Sequence, residues 1–222
     1  MESLPVWEPG EELANCLSHA VMVPITIYLT TYLIKQQMKV HDRVNIFGVT
    51  VYGLCVLFLF LNSSLYHGCT YEPVKRVLRY IDHCTIFFQI AGSYTPCVLY
   101  AMRTYTGIAL LIYIWVFAVI GIVSKIFFFD KIEGTYIYLA MGWSIIVCIK
   151  EFNRSFDFSQ KLWIALGGVS YSIGCIFFEI DKPFFHLIFH FFISGGALCQ
   201  FYAIYLLGER FLNNYNKKDS KK

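Results

Sequence analysis

Residues 183–196 read PFFHLIFHFFISGG, and this apolar run carries His186 and His190 one helical turn apart. At a spacing of i, i+4 both imidazoles project from one face of a helix and can bind a single ion. An ionisable side chain at the centre of a bilayer costs about 3 kcal/mol, so it is usually paired and functional. The run therefore predicts a transmembrane helix that carries part of a polar site.

The composition places the whole chain in the class of polytopic membrane proteins. Of its 222 residues, 57% are hydrophobic and only 15% are charged, a balance outside that of soluble domains. A helix needs roughly 20 apolar residues to cross a hydrocarbon layer of about 30 Å. We therefore expect an all-α integral membrane protein, a seven-transmembrane helix bundle with short loops, formed by a single domain with a basic tail over 208–222. The predicted spans are 17–36, 44–66, 80–102, 106–128, 134–150, 160–179 and 184–207.

Seven crossings bring four polar residues to one depth. We name the membrane face that holds the N-terminus face A and the opposite one face B. His67 then ends the second span on face A, Asp82 opens the third span there, and His186 with His190 opens the seventh. If the count were wrong by one span, His67 and Asp82 would lie roughly 30 Å from His186 and His190, on the opposite face of the membrane.

The chemistry of this group fits zinc better than other ions. Three imidazoles with a fourth position left to water form a common catalytic zinc arrangement, and nitrogen ligands disfavour magnesium and calcium. We expect His67, His186 and His190 as the metal ligands. Asp82 is either a fourth ligand or, as we favour, a base beside the metal. Ser63 lies one turn before His67 on the same helix face and is a second candidate catalytic residue.

Each candidate also has a simpler interpretation. His186 and His190 alone could pack like aromatic residues among the neighbouring phenylalanines. A serine such as Ser63 in a membrane helix often bonds back to the carbonyl four residues earlier. The matching depth of His67 and Asp82 is what favours a metal site.

Several segments together resemble the hemolysin III and progestin/adipoQ receptor family, which lies in a wider group that includes alkaline ceramidases. They are EELANCLSHAV, SSLYHG, YIDHCTIFFQIAGSYTP, GGVSYSIG and FFHLIFHFF. The chain is most similar to the short bacterial hemolysin III proteins. The resemblance implies zinc binding by the three histidines, with Ser63 and Asp82 at the metal's water. It also draws attention to Glu12, Asn15 and His19, which either approach the rim of the site or, as we favour, cap the first helix.

Three functions follow from these features. The leading one is a zinc-dependent hydrolase that cleaves an amide or ester of a membrane lipid, with amide cleavage implied by the ceramidase resemblance. The alternative is a membrane sensor or homeostasis protein with a structural zinc ion. The family name implies cytolysis as a third function, although no helix shows a polar stripe able to line a channel. We expect a membrane lipid as partner and no nucleic acid, and the sequence leaves open whether the chain forms a homo-oligomer.

The distribution of Lys and Arg predicts the orientation in a bacterial inner membrane. Face B carries twice as many as face A, so the positive-inside rule places face B and the C-terminus in the cytoplasm. The resemblance to the adipoQ receptors implies the opposite orientation, with the site near the cytosolic side. Face A carries Lys75, Arg76, Arg79, Lys125, Lys131 and Lys182. Face B carries Lys35, Lys39, Arg43, Arg103, Lys150, Arg154, Lys161, Arg210, Lys217, Lys218, Lys221 and Lys222.

Overall fold

A computed structural model describes residues 4–5, 7–129 and 134–220 of the chain. Within these ranges the protein is all-α, as predicted, and contains no strand. Nine α-helices and one short 3₁₀ segment, Ser144–Cys148, follow one another. The helices are α1 Pro9–Ala20, α2 Met22–Met38, α3 Arg43–Gly68, α4 Glu72–Ala101, α5 Tyr105–Phe128, α6 Gly134–Gly142, α7 Ile149–Ser155, α8 Phe158–Glu179 and α9 Phe185–Asp219.

These helices form a transmembrane bundle. In the part of the chain that the structure describes, six helical segments are long and apolar enough to cross a bilayer: α1 with α2, α3, α5, the broken segment from α6 to α7, α8 and α9. The remaining long helix, α4, has 30 residues and packs along both α3 and α5. Its charged first turns and its interior Gln89 lower its hydropathy, and Gln89 is buried.

The fifth membrane segment is not one continuous helix. After α6 ends at Gly142, the chain passes through Trp143 into the 3₁₀ segment and then into α7. The Tyr94 hydroxyl on α4 donates to the Gly142 carbonyl at 2.7 Å and accepts from the Ile145 N–H at 3.0 Å. A break inside a membrane is tolerated when a neighbouring side chain satisfies the freed backbone groups, and here Tyr94 does so.

The first and last helices are longer than the predicted apolar runs. Helical structure begins at Pro9, because proline suits the first position of a helix, and the acidic residues that follow occupy the first turn of α1. At the other end, α9 continues through the predicted basic tail to Asp219. The extra turns of α1 matter most, because α1 packs against both α3 and α9.

The buried stripe of α3 leads directly to the functional residues. Val49, Val56 and Phe60 are fully buried at helical spacing, and the same face continues through Ser63 to His67. Burial of the apolar part of this stripe therefore fixes the direction in which the His67 imidazole points.

Candidate metal centre

Three histidines from two distant parts of the chain meet at one end of the bundle. The ring centroids of His186 and His190 lie 4.6 Å apart, and the His67 centroid lies 5.0 Å from that of His186 and 5.1 Å from that of His190. One nitrogen of each ring lies within 4.8 Å of the others. The three histidines lie together as predicted, and the group could hold a metal ion.

Unsatisfied nitrogen atoms show that this group fits a cation. Nε2 of His67 and Nε2 of His186 are buried and have no hydrogen-bond partner among the described residues. Buried polar atoms are almost always paired, so two orphaned nitrogens side by side need an explanation. At His190, Nδ1 is occupied by Ser18, whose Oγ lies 2.9 Å away. That contact leaves Nε2 of His190 for a ligand role, and a donor set of three imidazoles is typical of zinc.

A carboxylate on α1 orients the first of these histidines. Nδ1 of His67 donates to Oε2 of Glu12 at 2.7 Å, and Lys75 pairs with the other carboxylate oxygen. A carboxylate behind a histidine fixes the tautomer and raises the basicity of the opposite nitrogen. Glu12 therefore holds Nε2 of His67 unprotonated.

The rest of α1 supports His190. Nδ1 of His190 lies 3.2 Å from the Asn15 carbonyl oxygen, and the His19 ring stacks on the His190 ring with centroids 3.7 Å apart. Nδ1 of His19 lies 2.8 Å from Oγ of Ser63.

The favoured prediction that Glu12, Asn15 and His19 cap the first helix is wrong. The N-cap of α1 is Glu8, which makes no side-chain cap bond. The three residues lie at i, i+3 and i+7 on the face of α1 that α3 and α9 cover, so helical spacing sets their common direction. They contact the histidine group instead.

Trp7 covers the histidine group at the end of the bundle. Its ring centroid lies 4.8 Å from that of His186 and 5.2 Å from that of His67. Nearby, Oε1 of Glu11 accepts a hydrogen bond from the Phe184 N–H at 2.7 Å, where Phe184 has a left-handed φ of 63°. The sequence does not predict this cover, because Trp7 precedes the periodic part of α1.

Asp82 and Ser63 lie beside the group rather than within it. Asp82 is not among the donor atoms that lie within 4.8 Å of one another, so its position favours a base over a fourth ligand. Asn62 and Ser63 lie near its carboxyl group. Both Asp82 and Ser63 line the cavity that opens from the site.

This cavity has a volume of about 290 Å³ and extends from His190 and Asp82 deep into the bundle. Along α4 it is lined from Asp82 to Cys97, a helical length of about 22 Å. Aliphatic and aromatic side chains of α4, α6, α8 and α9 form most of its wall, among them Ile86, Ile90 and Phe189. The shape suits a long apolar ligand whose polar end reaches the histidines.

Comparison with known proteins identifies the family of this chain. The hemolysin-3 homolog of Bacillus subtilis (strain 168) is 36% identical over 197 residues, which cover 87% of this chain and 92% of that relative. Hemolysin-3 of Bacillus cereus is also 36% identical over 197 residues, with 87% and 90% covered. Monocyte to macrophage differentiation factor of Homo sapiens is 29% identical over 208 residues, with 88% and 83% covered. The family described as haemolysin-III related matches residues 8–201, and the chain belongs to that family.

Proposed function

We propose that this protein is a zinc-dependent hydrolase that cleaves an acyl amide or ester bond of a membrane lipid. His67, His186 and His190 would hold the ion. The observation that carries the proposal is the pair of orphaned Nε2 atoms on His67 and His186. The third histidine, His190, lines a long apolar cavity whose wall also carries a carboxyl group, Asp82. A ligand group, a base and an acyl-sized cavity are the parts that such a reaction requires.

The chain's own residues account for the proton transfers. A zinc ion, when bound, would supply Lewis acidity that activates water and polarises a carbonyl group. Asp82 would accept the proton of the attacking water at a carboxylate oxygen, and Ser63, which lines the same cavity, would help to orient Asp82. Water adds to the acyl carbon, the bond to the leaving nitrogen or oxygen breaks, and the proton on Asp82 passes to that atom. The products are a fatty acid and an amine or an alcohol.

The test measures fatty acid release and metal content in the same sample. Purified protein is incubated with an N-acyl sphingoid lipid and with a diacyl phospholipid, and free fatty acid is measured by mass spectrometry. We expect release by the wild type and a loss of about 100-fold or more in Asp82→Asn, a magnitude typical of a general base, with unchanged metal content. Asp181→Asn, an exposed carboxylate change near the start of α9, is the control and should be fully active. Full activity of Asp82→Asn would contradict the assigned role.

A second candidate is a membrane sensor whose metal is structural. It is favoured by the way in which α1 encloses the histidines, since an ion there would tie α1, α3 and α9 together and stabilise the bundle. A metal-loaded wild type that releases no fatty acid from either lipid class, but unfolds at a lower temperature after chelation, would favour this function over the hydrolase.

We propose that face B and the C-terminus of α9 are cytoplasmic in a bacterial inner membrane, because face B carries twelve of the 18 Lys and Arg residues. A reporter that works only in the cytoplasm should be active when it is fused after Lys222. If only a reporter that works outside the cytoplasm were active there, the assignment would be reversed. The mostly apolar cavity wall does not suit a water-filled pore, so we do not extend to this chain the lytic activity that the relatives' names carry.

A further inference from the structure

The apolar cavity contains a polar pair well away from the histidines. Nε2 of Gln89 on α4 donates to the hydroxyl oxygen of Tyr171 on α8 at 2.8 Å, and both residues line the cavity. Gln89 is only 4% exposed. A buried amide in a membrane helix is costly unless its polar atoms are paired, so this pair requires a reason.

One hydrogen bond does not satisfy the two side chains. The Tyr171 hydroxyl accepts from Gln89, and among the described residues its own proton has no acceptor. Among the described residues the Gln89 carbonyl oxygen also has no partner, and it is not one of the unpaired polar atoms that are fully buried. If the amide is turned over, so that Tyr171 donates to it, the NH₂ group is the one left over. In either orientation the pair presents free hydrogen-bonding capacity to the cavity.

The distance from this pair to the reacting groups is about the same whether it is measured along α4 or along α9. Gln89 lies seven residues after Asp82 on the same face of α4, or about 10 Å along the helix. The Tyr171 ring packs on Gly196, where an added Cβ would lie 2.4 Å from a ring carbon. Gly196 lies six residues after His190, or about 9 Å along α9.

This distance corresponds to a definite position on an acyl chain. An extended polypeptide advances by about 3.6 Å for three backbone bonds, or about 1.2 Å per bond. A chain whose carbonyl carbon lies at Asp82 and the histidines would therefore reach the pair after about eight bonds, near its ninth or tenth carbon.

We propose that Gln89 and Tyr171 recognise a hydroxyl or keto group near the middle of the acyl chain. This inference rests on the proposed function and narrows its substrate class to lipids with a mid-chain oxygenated acyl group. The hydroxyl of such a chain would accept from the Tyr171 hydroxyl and donate to the Gln89 carbonyl oxygen, so both of these protein groups gain a partner. An unsubstituted chain leaves both protein groups unpaired.

The test is a binding measurement that does not depend on turnover. Stearic acid, 10-hydroxystearic acid and 16-hydroxystearic acid compete with a fluorescent fatty acid for purified, zinc-loaded protein in detergent. We expect 10-hydroxystearic acid to bind about five- to tenfold more tightly than the other two, the gain typical of one well-made hydrogen bond. The 16-hydroxy isomer has the same polarity and controls for the desolvation of the hydroxyl.

Two variants assign the preference to the pair. Tyr171→Phe and Gln89→Leu should abolish the preference for the 10-hydroxy isomer while the affinity for stearic acid stays within about twofold. Ser93→Ala is the matched control, because Ser93 lines the same cavity but donates to the Ile90 carbonyl at 2.7 Å, and it should keep the preference.

Equal binding of the three acids, or a preference that survives in Tyr171→Phe, would overturn the assignment and leave the proposed hydrolase intact. A reduced melting temperature in Tyr171→Phe with an unchanged preference would show that the pair only joins α4 to α8. Failure of all three acids to bind would instead refute the lipid cavity on which the proposed function depends.

Discussion

Nδ1 of His67 and Oε2 of Glu12 are joined by a hydrogen bond of 2.7 Å, and Nε2 of the same imidazole is buried without a partner. The two ends of this ring therefore have different roles. One end is fixed by a carboxylate that comes from the first helix, and the other is left for a ligand. Lys75 pairs with the second oxygen of Glu12 and offsets its charge.

Replacing Glu12 should weaken metal binding without removing it. In Glu12→Gln the amide cannot hold His67 in the required tautomer as strongly, and loss of such an outer partner typically costs 10–100-fold in metal affinity, as an order of magnitude. Competition against a zinc-binding dye measures this directly. Glu8→Gln, an exposed glutamate at the start of the same helix, should bind as the wild type does. Equal affinities for Glu12→Gln and Glu8→Gln would contradict the role of Glu12.

Removing Trp7 should accelerate metal exchange. Its ring lies over His67 and His186, and an aromatic contact is worth about 1 kcal/mol, which corresponds to roughly a fivefold change in rate. Stopped-flow transfer of zinc from the protein to excess chelator gives the rate for Trp7→Ala. The control is Trp163→Ala, because Trp163 packs on Tyr202 away from the site. Identical release rates in all three proteins would show that Trp7 does not cover the ion.

The close packing of α4 on α5 depends on a glycine. A Cβ added at Gly121 would lie 2.2 Å from a ring carbon of Phe87, which is 1% exposed and packs on Tyr138. Gly121→Ala should therefore lower the free energy of unfolding by about 1–3 kcal/mol, the cost of overpacking, in spite of the better helix propensity of alanine. Thermal unfolding in detergent measures the change. Gly142→Ala is the control, because nothing lies within 4 Å of its added Cβ, and a similar loss there would show that the clash is not the cause.

Asp42, in the loop before α3, should make stability depend on pH. Burial alone would raise its pKa, but hydrogen bonds from Arg103 and from the Asn45 and Val44 N–H groups outweigh that effect and lower the pKa. A carboxylate with a lowered pKa stabilises the fold fully above its unfolded pKa of about 3.9, and this contribution disappears as the pH falls through the lower folded value.

Asp42→Asn keeps an N-cap residue but removes the charge. We expect it to be less stable than the wild type at pH 7 by at most about 1 kcal/mol, as for an exposed ion pair. This difference should shrink as the pH falls below about 3.9, the unfolded pKa. Melting temperatures of both proteins across this range provide the measurement. A stability difference that does not shrink on acidification would exclude the ion pair as its source.

The sequence predicts the meeting of the three histidines well, because the position of each one follows from a local rule. The spacing of Ser63 to His67 and of His186 to His190 sets a helix face, and the count of apolar runs sets the depth. These two rules are enough to bring three histidines together. They also place Asp82 at the same end, and in the structure Asp82 lines the same cavity as Ser63.

The supporting residues are harder to predict because they depend on which helices are neighbours. Helical spacing shows that Glu12, Asn15 and His19 share a face, but it does not show that α3 and α9 cover that face. Capping was therefore the preferred interpretation, and it is wrong. The break after Gly142 was likewise not predicted, because its backbone partner, Tyr94, lies on another helix.

Metal analysis of the purified protein tests the central claim most directly. The wild type, reconstituted with zinc and passed through a desalting column, should hold about one zinc ion per chain, and His186→Ala should hold almost none while it elutes as the folded protein does. His41→Asn, at the left-handed position before α3, should keep the full content. A wild type without zinc above background, or full occupancy in His186→Ala, would contradict the metal centre.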